Sequence, residues 1–184
     1  MFCGSSAGVD PVFRRAAEEL GRAIAAAGAG LVYGGGDVGL MGAVASATMG
    51  AGGAVTGVIT EQLHALELAH EGITTLEVAA DMHSRKARMA ELADGVVVLP
   101  GGFGTYDEAF EMLTWNQLGI VATPVAFLDV DGFYGPLFDF IDGAVRAGFM
   151  KTDHGALARR ATSPADAVAQ ALGAAADFTP KWVG

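Results

Sequence analysis

Cys3 is the only cysteine among the 184 residues. No intramolecular disulfide can form, and no cysteine cluster can hold zinc. Histidine is nearly as sparse: His64, His70, His83 and His154 include no pair at metal-ligand helical spacing, so no metal is expected. Positive charge is scarce too, with 11 Lys+Arg against 21 Asp+Glu and a net charge of −10. Such a surface repels DNA, RNA and anionic membranes, which leaves a small molecule or a second copy of the chain as the expected partner. No apolar run reaches the roughly eighteen residues needed to span a bilayer. The start, Met1-Phe2-Cys3-Gly4-Ser5-Ser6, lacks the charged and apolar regions of a signal peptide. A soluble, cytoplasmic protein is the expectation.

What the chain does have is apolar content (52%), little charge (17%) and 27 glycines. That composition suits a rich core with many tight turns, and the length suits one domain over residues 1–184, with a loosely docked tail at about 174–184. Short apolar runs alternate with helical patterns. Strands are expected at Met1–Gly4, Gly30–Tyr33, Ala54–Ile59, Thr74–Val78, Gly95–Leu99 and Val125–Leu128. Helices are expected at Pro11–Ala27, Leu40–Ala51, Asp81–Leu92, Thr105–Gln117, Gly135–Ala147 and Pro164–Leu172. Continuously apolar runs such as Val96-Val97-Val98-Leu99 suit parallel strands covered on both faces. The alternation gives an α/β class: a Rossmann-like, doubly wound parallel sheet. The first strand reaches its turn almost at once, so it is expected to be short or weak, or else the natural start lies upstream.

Between Arg22 and Arg146 the only basic residues are Arg85, Lys86 and Arg88. Soon after them comes Pro100-Gly101-Gly102-Phe103-Gly104-Thr105-Tyr106-Asp107-Glu108. A glycine turn opening a helix offers free amides, and cations nearby make it a phosphate cradle. Two readings of Glu108 stand side by side. Thr105-x-x-Glu108 fits a capping box, and the same carboxylate fits catalysis. Arg85 shares a helix face with Met82, Met89 and Leu92, so it needs a partner: either a structural salt bridge, Glu108 included, or a bound anion. Lys86 and Arg88 lie off that stripe, and Asp107 and Glu111 are expected as solvated helix charges. A second glycine run, Gly34-Gly35-Gly36-Asp37-Val38-Gly39-Leu40-Met41-Gly42, also follows a strand and opens a helix. It does not match the dinucleotide fingerprint. His64 and His70 are expected to be structural or solvated, Asp129–Gly132 a turn, and Met112 and Trp115 core or interface. Ser5 and Ser6 suit ligand hydrogen bonds better than nucleophilic attack.

Cys3-Gly4-Ser5-Ser6, the Gly34–Gly42 run, Met82-His83-Ser84-Arg85-Lys86, Pro100–Glu108, Thr114-Trp115 and Val130-Asp131-Gly132-Phe133-Tyr134 together resemble the cytokinin-activating phosphoribohydrolases, the LONELY GUY family. Members have often carried the label of lysine decarboxylases. That resemblance implies a Rossmann-like homodimer or larger assembly. It implies hydrolysis of the N-glycosidic bond of adenosine 5′-monophosphates, N6-substituted ones included, to free base and ribose 5-phosphate, without a cofactor. It also implies Arg85 and Glu108 as the catalytic pair. The implied substrate contacts are Gly4, Ser5, Gly35, Gly36, Gly39, Met41, Glu67, Lys86, Pro100, Gly101, Gly102, Gly104, Thr105 and Thr114. The alternative is a non-catalytic nucleotide-binding module in which Glu108 only caps its helix. The decarboxylase label fits poorly: only Lys86, Lys151 and Lys181 exist to form a Schiff base, and Lys86 is better explained beside Arg85 as a phosphate contact.

Overall fold

Every strand between the first and last of the chain runs parallel to its neighbours, and the computed structural model describes them within residues 1–66 and 69–175. The strands are β1 (Leu31–Tyr33), β2 (Val55–Thr60), β3 (Thr75–Ala79), β4 (Val96–Val98), β5 (Val125–Leu128) and β6 (Ala158–Ala161). They form two three-stranded sheets, β1-β2-β3 and β4-β5-β6. Residues 1–3 lie between the two. The Met1 amine donates to Val32 O at 2.7 Å, and Phe2 bridges in parallel to Val98. The expected first strand is thus one bridge long, because Gly4 turns the backbone aside and donates to Pro100 O at 3.1 Å.

Among the described residues the helices are α1 (Pro11–Ala26), α2 (Gly39–Gly50), α3 (Glu61–Ala65), α4 (Met82–Glu91), α5 (Phe103–Gln117), α6 (Gly135–Arg146), α7 (Thr152–Gly155) and α8 (Pro164–Ala171). Side chains of successive strand residues point to opposite faces, so β4 and β5 each feed two cores. Val97, Leu99, Ala126 and Leu128 pack with α1, α2 and α8. Val96, Val98, Val125 and Phe127 pack with α4, α5 and α6. Burial on both faces is what made these strands read as unbroken apolar runs.

β6 escaped the sequence reading because Ala158-Arg159-Arg160-Ala161 carries two charges. It is an edge strand, where charge is tolerated and discourages further pairing. Arg160 Nε donates to Asp129 Oδ2 at 2.8 Å, which ties that edge to the turn after β5. The short helices α3 and α7 were also missed, since four or five residues carry no readable period. The tail residues Phe178 and Trp182 lie outside the described residues. Among the described residues no helix is long and apolar enough to cross a membrane.

Candidate active site

The segment Met1–Cys3 sits where the chain changes direction, with β1 on one side and β4 on the other. Loops leaving such a switch point diverge and open a crevice at the carboxyl ends of the strands, where ligands of doubly wound sheets bind. Three loops meet there: Gly4–Gly8, Gly34–Val38 and Pro100–Gly102. At Gly101 and Gly39 the backbones pack so closely that a side chain would not fit. A Cβ on Gly101 would lie 2.7 Å from Thr105 Cβ and 2.8 Å from Gly4 N, and one on Gly39 (φ +62°) would strike the Ser5 carbonyl.

Side chains cap the N-termini of α1, α3, α4 and α8, through Asp10, Thr60, Asp81 and Ser163. α2 and α5 start from glycine loops with no side-chain cap. Their first amides therefore lack intrahelical acceptors and remain available to an anion. The cap of α5 is Gly102, three residues before the expected start of the helix at Thr105, and Thr105 lies inside the first turn, buried. Glu108 is then well past the position a capping-box glutamate occupies. The capping reading of Glu108 is corrected: its carboxylate faces α4.

Arg85 Nη1 donates to Glu108 Oε1 at 2.8 Å, with the two side chains 8% and 13% exposed. Arg85 Nε donates to Val58 O at 2.9 Å, and its Nη1 also approaches Met82 Sδ at 3.3 Å. Nη2 occupies the space a Cβ on Gly34 would need, so the guanidinium lies directly beneath the second glycine run. Burial pushes the Glu108 carboxyl above its ordinary pKa, and the adjacent Arg85 charge and hydrogen bond oppose that without cancelling it. A buried ion pair under two glycine loops is an expensive arrangement, and stability alone rarely explains one.

Lys86 departs from expectation. Its ammonium bonds Asp107 Oδ2 and Glu111 Oε2, both at 3.0 Å, and only 11% of the side chain is exposed. Asp107 and Glu111 are thus not merely solvated charges; through Lys86 they tie α5 to α4. Burial pulls the Lys86 pKa down, hydrogen bonds to the two carboxylates outweigh that, and the net shift is upward. An ammonium held charged in this way is a poor Schiff-base nucleophile. Arg88 reaches Glu77 at 2.7 Å and Glu91 at 3.3 Å on the outer side of α4.

Gly4, Ser5, Gly35, Gly36, Gly39, Pro100, Gly101, Gly102, Gly104 and Thr105 belong to the converging loops and the starts of α2 and α5. Met41 stands on the first turn of α2, its sulfur near Gly34. Thr114 lies elsewhere. It is exposed on the outer side of α5, its hydroxyl donates to Phe110 O at 2.7 Å, and it borders an open groove with Phe103, Tyr106 and Trp115. Glu67 lies outside the described residues. His70, read from sequence as isolated, is laced to the second glycine run. Its N–H donates to Gly35 O at 2.8 Å, and its Nε2 is 3.4 Å from Asp37 Oδ1. No local pattern signals that contact, because it joins segments more than thirty residues apart. Asp129–Gly132 leads into a 3-10 turn, with Asp129 Oδ1 accepting from Tyr134 N at 2.7 Å. No group of three or more metal-ligating side chains occurs among the described residues.

The protein family described as "Possible lysine decarboxylase" matches residues 41–171. A rice protein named probable cytokinin riboside 5′-monophosphate phosphoribohydrolase LOGL1 is 46% identical over 153 residues, covering 83% of this chain and 69% of its own. The Arabidopsis thaliana cytokinin riboside 5′-monophosphate phosphoribohydrolase LOG7 is 49% identical over 150 residues, 82% of this chain and 69% of its own. The enzyme of that name from Rhodococcoides fascians is 48% identical over 151 residues, 82% of this chain and 76% of its own. Among solved structures, a molybdenum cofactor carrier protein from Chlamydomonas reinhardtii superposes with a TM-score of 0.66 at 24% identity, covering 89% of this chain and 88% of that one. The molybdenum cofactor binding protein of Rippkaea orientalis superposes with a TM-score of 0.65 at 23% identity, covering 86% and 85%. At such identities the likeness to these two is one of fold.

Proposed function

This chain belongs to the family of the cytokinin riboside 5′-monophosphate phosphoribohydrolases, and on that premise we propose how its residues carry out the reaction. The enzyme hydrolyses the N-glycosidic bond of cytokinin riboside 5′-monophosphates, releasing the free base and ribose 5-phosphate. The observation that carries the assignment of roles is the buried Arg85–Glu108 pair beside the uncapped start of α5.

Breaking the bond builds positive charge on the sugar, as in glycoside hydrolysis. Glu108 stabilises that charge and orients the attacking water. Arg85, fixed by Val58 O, keeps the carboxylate ionised and aimed despite its burial, and helps to hold the nucleotide. The amides of Gly102, Gly104 and Thr105 at the start of α5 anchor the 5′-phosphate, with Gly101 and Pro100 setting the loop and Gly4 and Ser5 closing its side. Gly35, Gly36, Gly39 and Met41 form the facing wall. Lys86 acts from the rim, orienting α4 against α5 through Asp107 and Glu111. Anchoring the phosphate positions the sugar over Glu108, which lowers the entropic part of the barrier.

The functional unit is a homodimer. The outer side of α5 and the turn after it support this, because Phe103 (93% exposed), Phe110, Leu118 and Ile120 are apolar and open to solvent there. Thr114 then lies where two copies meet.

The test is direct. The purified protein is incubated with AMP, N6-isopentenyl-AMP, CMP and GMP, and free base is followed by chromatography. Release of adenine or its isopentenyl derivative, with equimolar ribose 5-phosphate, supports the reading. Nucleotide binding without base release returns Glu108 to a structural role.

A further inference from the structure

His70 touches the second glycine run at two points, Gly35 and Asp37, and has no part in the mechanism above. We propose that it is a positioning residue for nucleotide binding: paired with Asp37, it holds Gly34–Gly36 in the shape that walls the site. The inference rests on the phosphoribohydrolase reading and adds to it the residue pair that shapes the facing wall.

A run of three glycines needs such a hold. Glycine has the widest choice of backbone conformations, so Gly34-Gly35-Gly36 left to itself samples many shapes. The β1 ladder ends at Tyr33, paired with Gly57, one residue before the run. Support comes from the connection between β2 and β3 instead. Ala69 bridges antiparallel to Gly36, and His70 N donates to Gly35 O at 2.8 Å. Gly35 (φ +77°) also lies against the end of β2, where a Cβ on it would be 3.1 Å from Ile59 Cβ. β2 and the Ala69–His70 strap thus grip the run together.

The main-chain bond asks nothing of the side chain at position 70; the ring has its own contact. Its Nε2 lies 3.4 Å from Asp37 Oδ1, so one side chain ties the strap to the residue that follows the glycines. The His70 side chain is 13% exposed and that of Asp37 60%, so the ring is covered while the carboxylate keeps its water and needs no buried counter-charge. Asp37 is in turn pressed against α2, since a Cβ on Gly42 would strike its carbonyl. Beneath the run, Arg85 Nη2 fills the space under Gly34, but Arg85 is held separately, by Val58 O at 2.9 Å and Glu108 Oε1 at 2.8 Å. Loosening the run therefore disturbs the wall without releasing the catalytic pair. A wall that must be ordered each time a nucleotide binds weakens binding, and the loss falls on KM rather than kcat.

His70→Ala keeps the main-chain bond and removes the ring. It should raise KM for AMP by roughly three- to tenfold with kcat within about twofold, the size of one hydrogen bond to a partly exposed carboxylate. His70→Gln, whose amide N–H can reach the same carboxylate, should recover most of the loss. Asp37→Ala should match His70→Ala, and the double variant should be no worse than either. Thermal melting checks that each variant is folded, and if His70→Ala is not, Asp37→Ala, on the exposed side of the pair, decides. An unchanged KM in the folded variants, or losses that multiply in the double variant, would overturn the proposal. A wild-type protein that releases no base from AMP would instead overturn the enzymatic reading, and AMP binding isotherms on the same variants would then decide for the pair by itself.

Discussion

Arg85 Nη1 and Glu108 Oε1 stand 2.8 Å apart, joining the middle of α4 to the second turn of α5 beneath two glycine loops. This contact removes the capping reading of Glu108 and leaves two, a structural ion pair and a catalytic carboxylate. A capping residue would have turned back to its own helix start; Glu108 turns to another helix. On the catalytic reading, Glu108→Gln should lower base release by about 10²-fold or more while nucleotide still binds, because one transition-state electrostatic contact is worth that much. Single-turnover kinetics and a binding isotherm on the same preparation would check it. Near-normal turnover would remove Glu108 from the chemistry.

The pH dependence follows from the same burial. Glu108 titrates above the 4.5 of an ordinary glutamate, so the acid limb of kcat should fall above that value, and it should disappear in the residual activity of Glu108→Gln. The sign for stability is the reverse of a usual carboxylate. A folded pKa above the unfolded one gives a contribution that is full below the unfolded value and is lost as pH rises through the folded one. The stability of the wild type relative to Glu108→Gln should therefore decline from about pH 4.5 upward. Denaturant titrations across that range would show it.

Phosphate recognition makes a separate prediction. Donors arranged for a charged group are left unpaired when it is missing, so adenosine should be a worse substrate than AMP by roughly 10³ or more in kcat/KM. Arg85→Ala should lose activity on AMP and narrow that gap. Equal turnover of AMP and adenosine by the wild type would mean that the amides at the start of α5 hold no phosphate.

Gly101→Ala tests the packing of the loops. Its Cβ would press on Thr105 Cβ at 2.7 Å and Gly4 N at 2.8 Å, and neither the buried threonine nor the backbone can easily give way. The expected cost is about 1–3 kcal/mol in stability, with a loss of activity beyond it as the start of α5 shifts. Calorimetry beside activity at a temperature well below the midpoint separates the two effects.

For the oligomer, sedimentation at micromolar concentration should give a dimer. Phe103→Asp together with Ile120→Asp should yield a monomer if the outer side of α5 is the interface. A stable wild-type monomer would refute the dimer.

Local patterning was enough to place five of the six described strands and all the longer helices, because burial on both faces writes itself as unbroken apolar runs in β4 and β5, and proline after Asp10 or Ser163 marks a helix start. The two glycine loops and the cluster Arg85-Lys86 were legible for the same reason: each is a short contiguous string with a local physical meaning. The partner of each charge was not. Whether Glu108 capped its own helix or met Arg85 depended on where α5 began, and only the packing of Gly101 against Gly4 and Thr105 put that start at Phe103. Lys86 reaching Asp107 and Glu111, His70 reaching Gly35, and Phe13 meeting Phe133 all join residues distant in the chain. Such contacts follow from how helices are laid across the sheet, and the hydrophobic effect that lays them there is non-directional, so no string of neighbouring residues encodes the pairings.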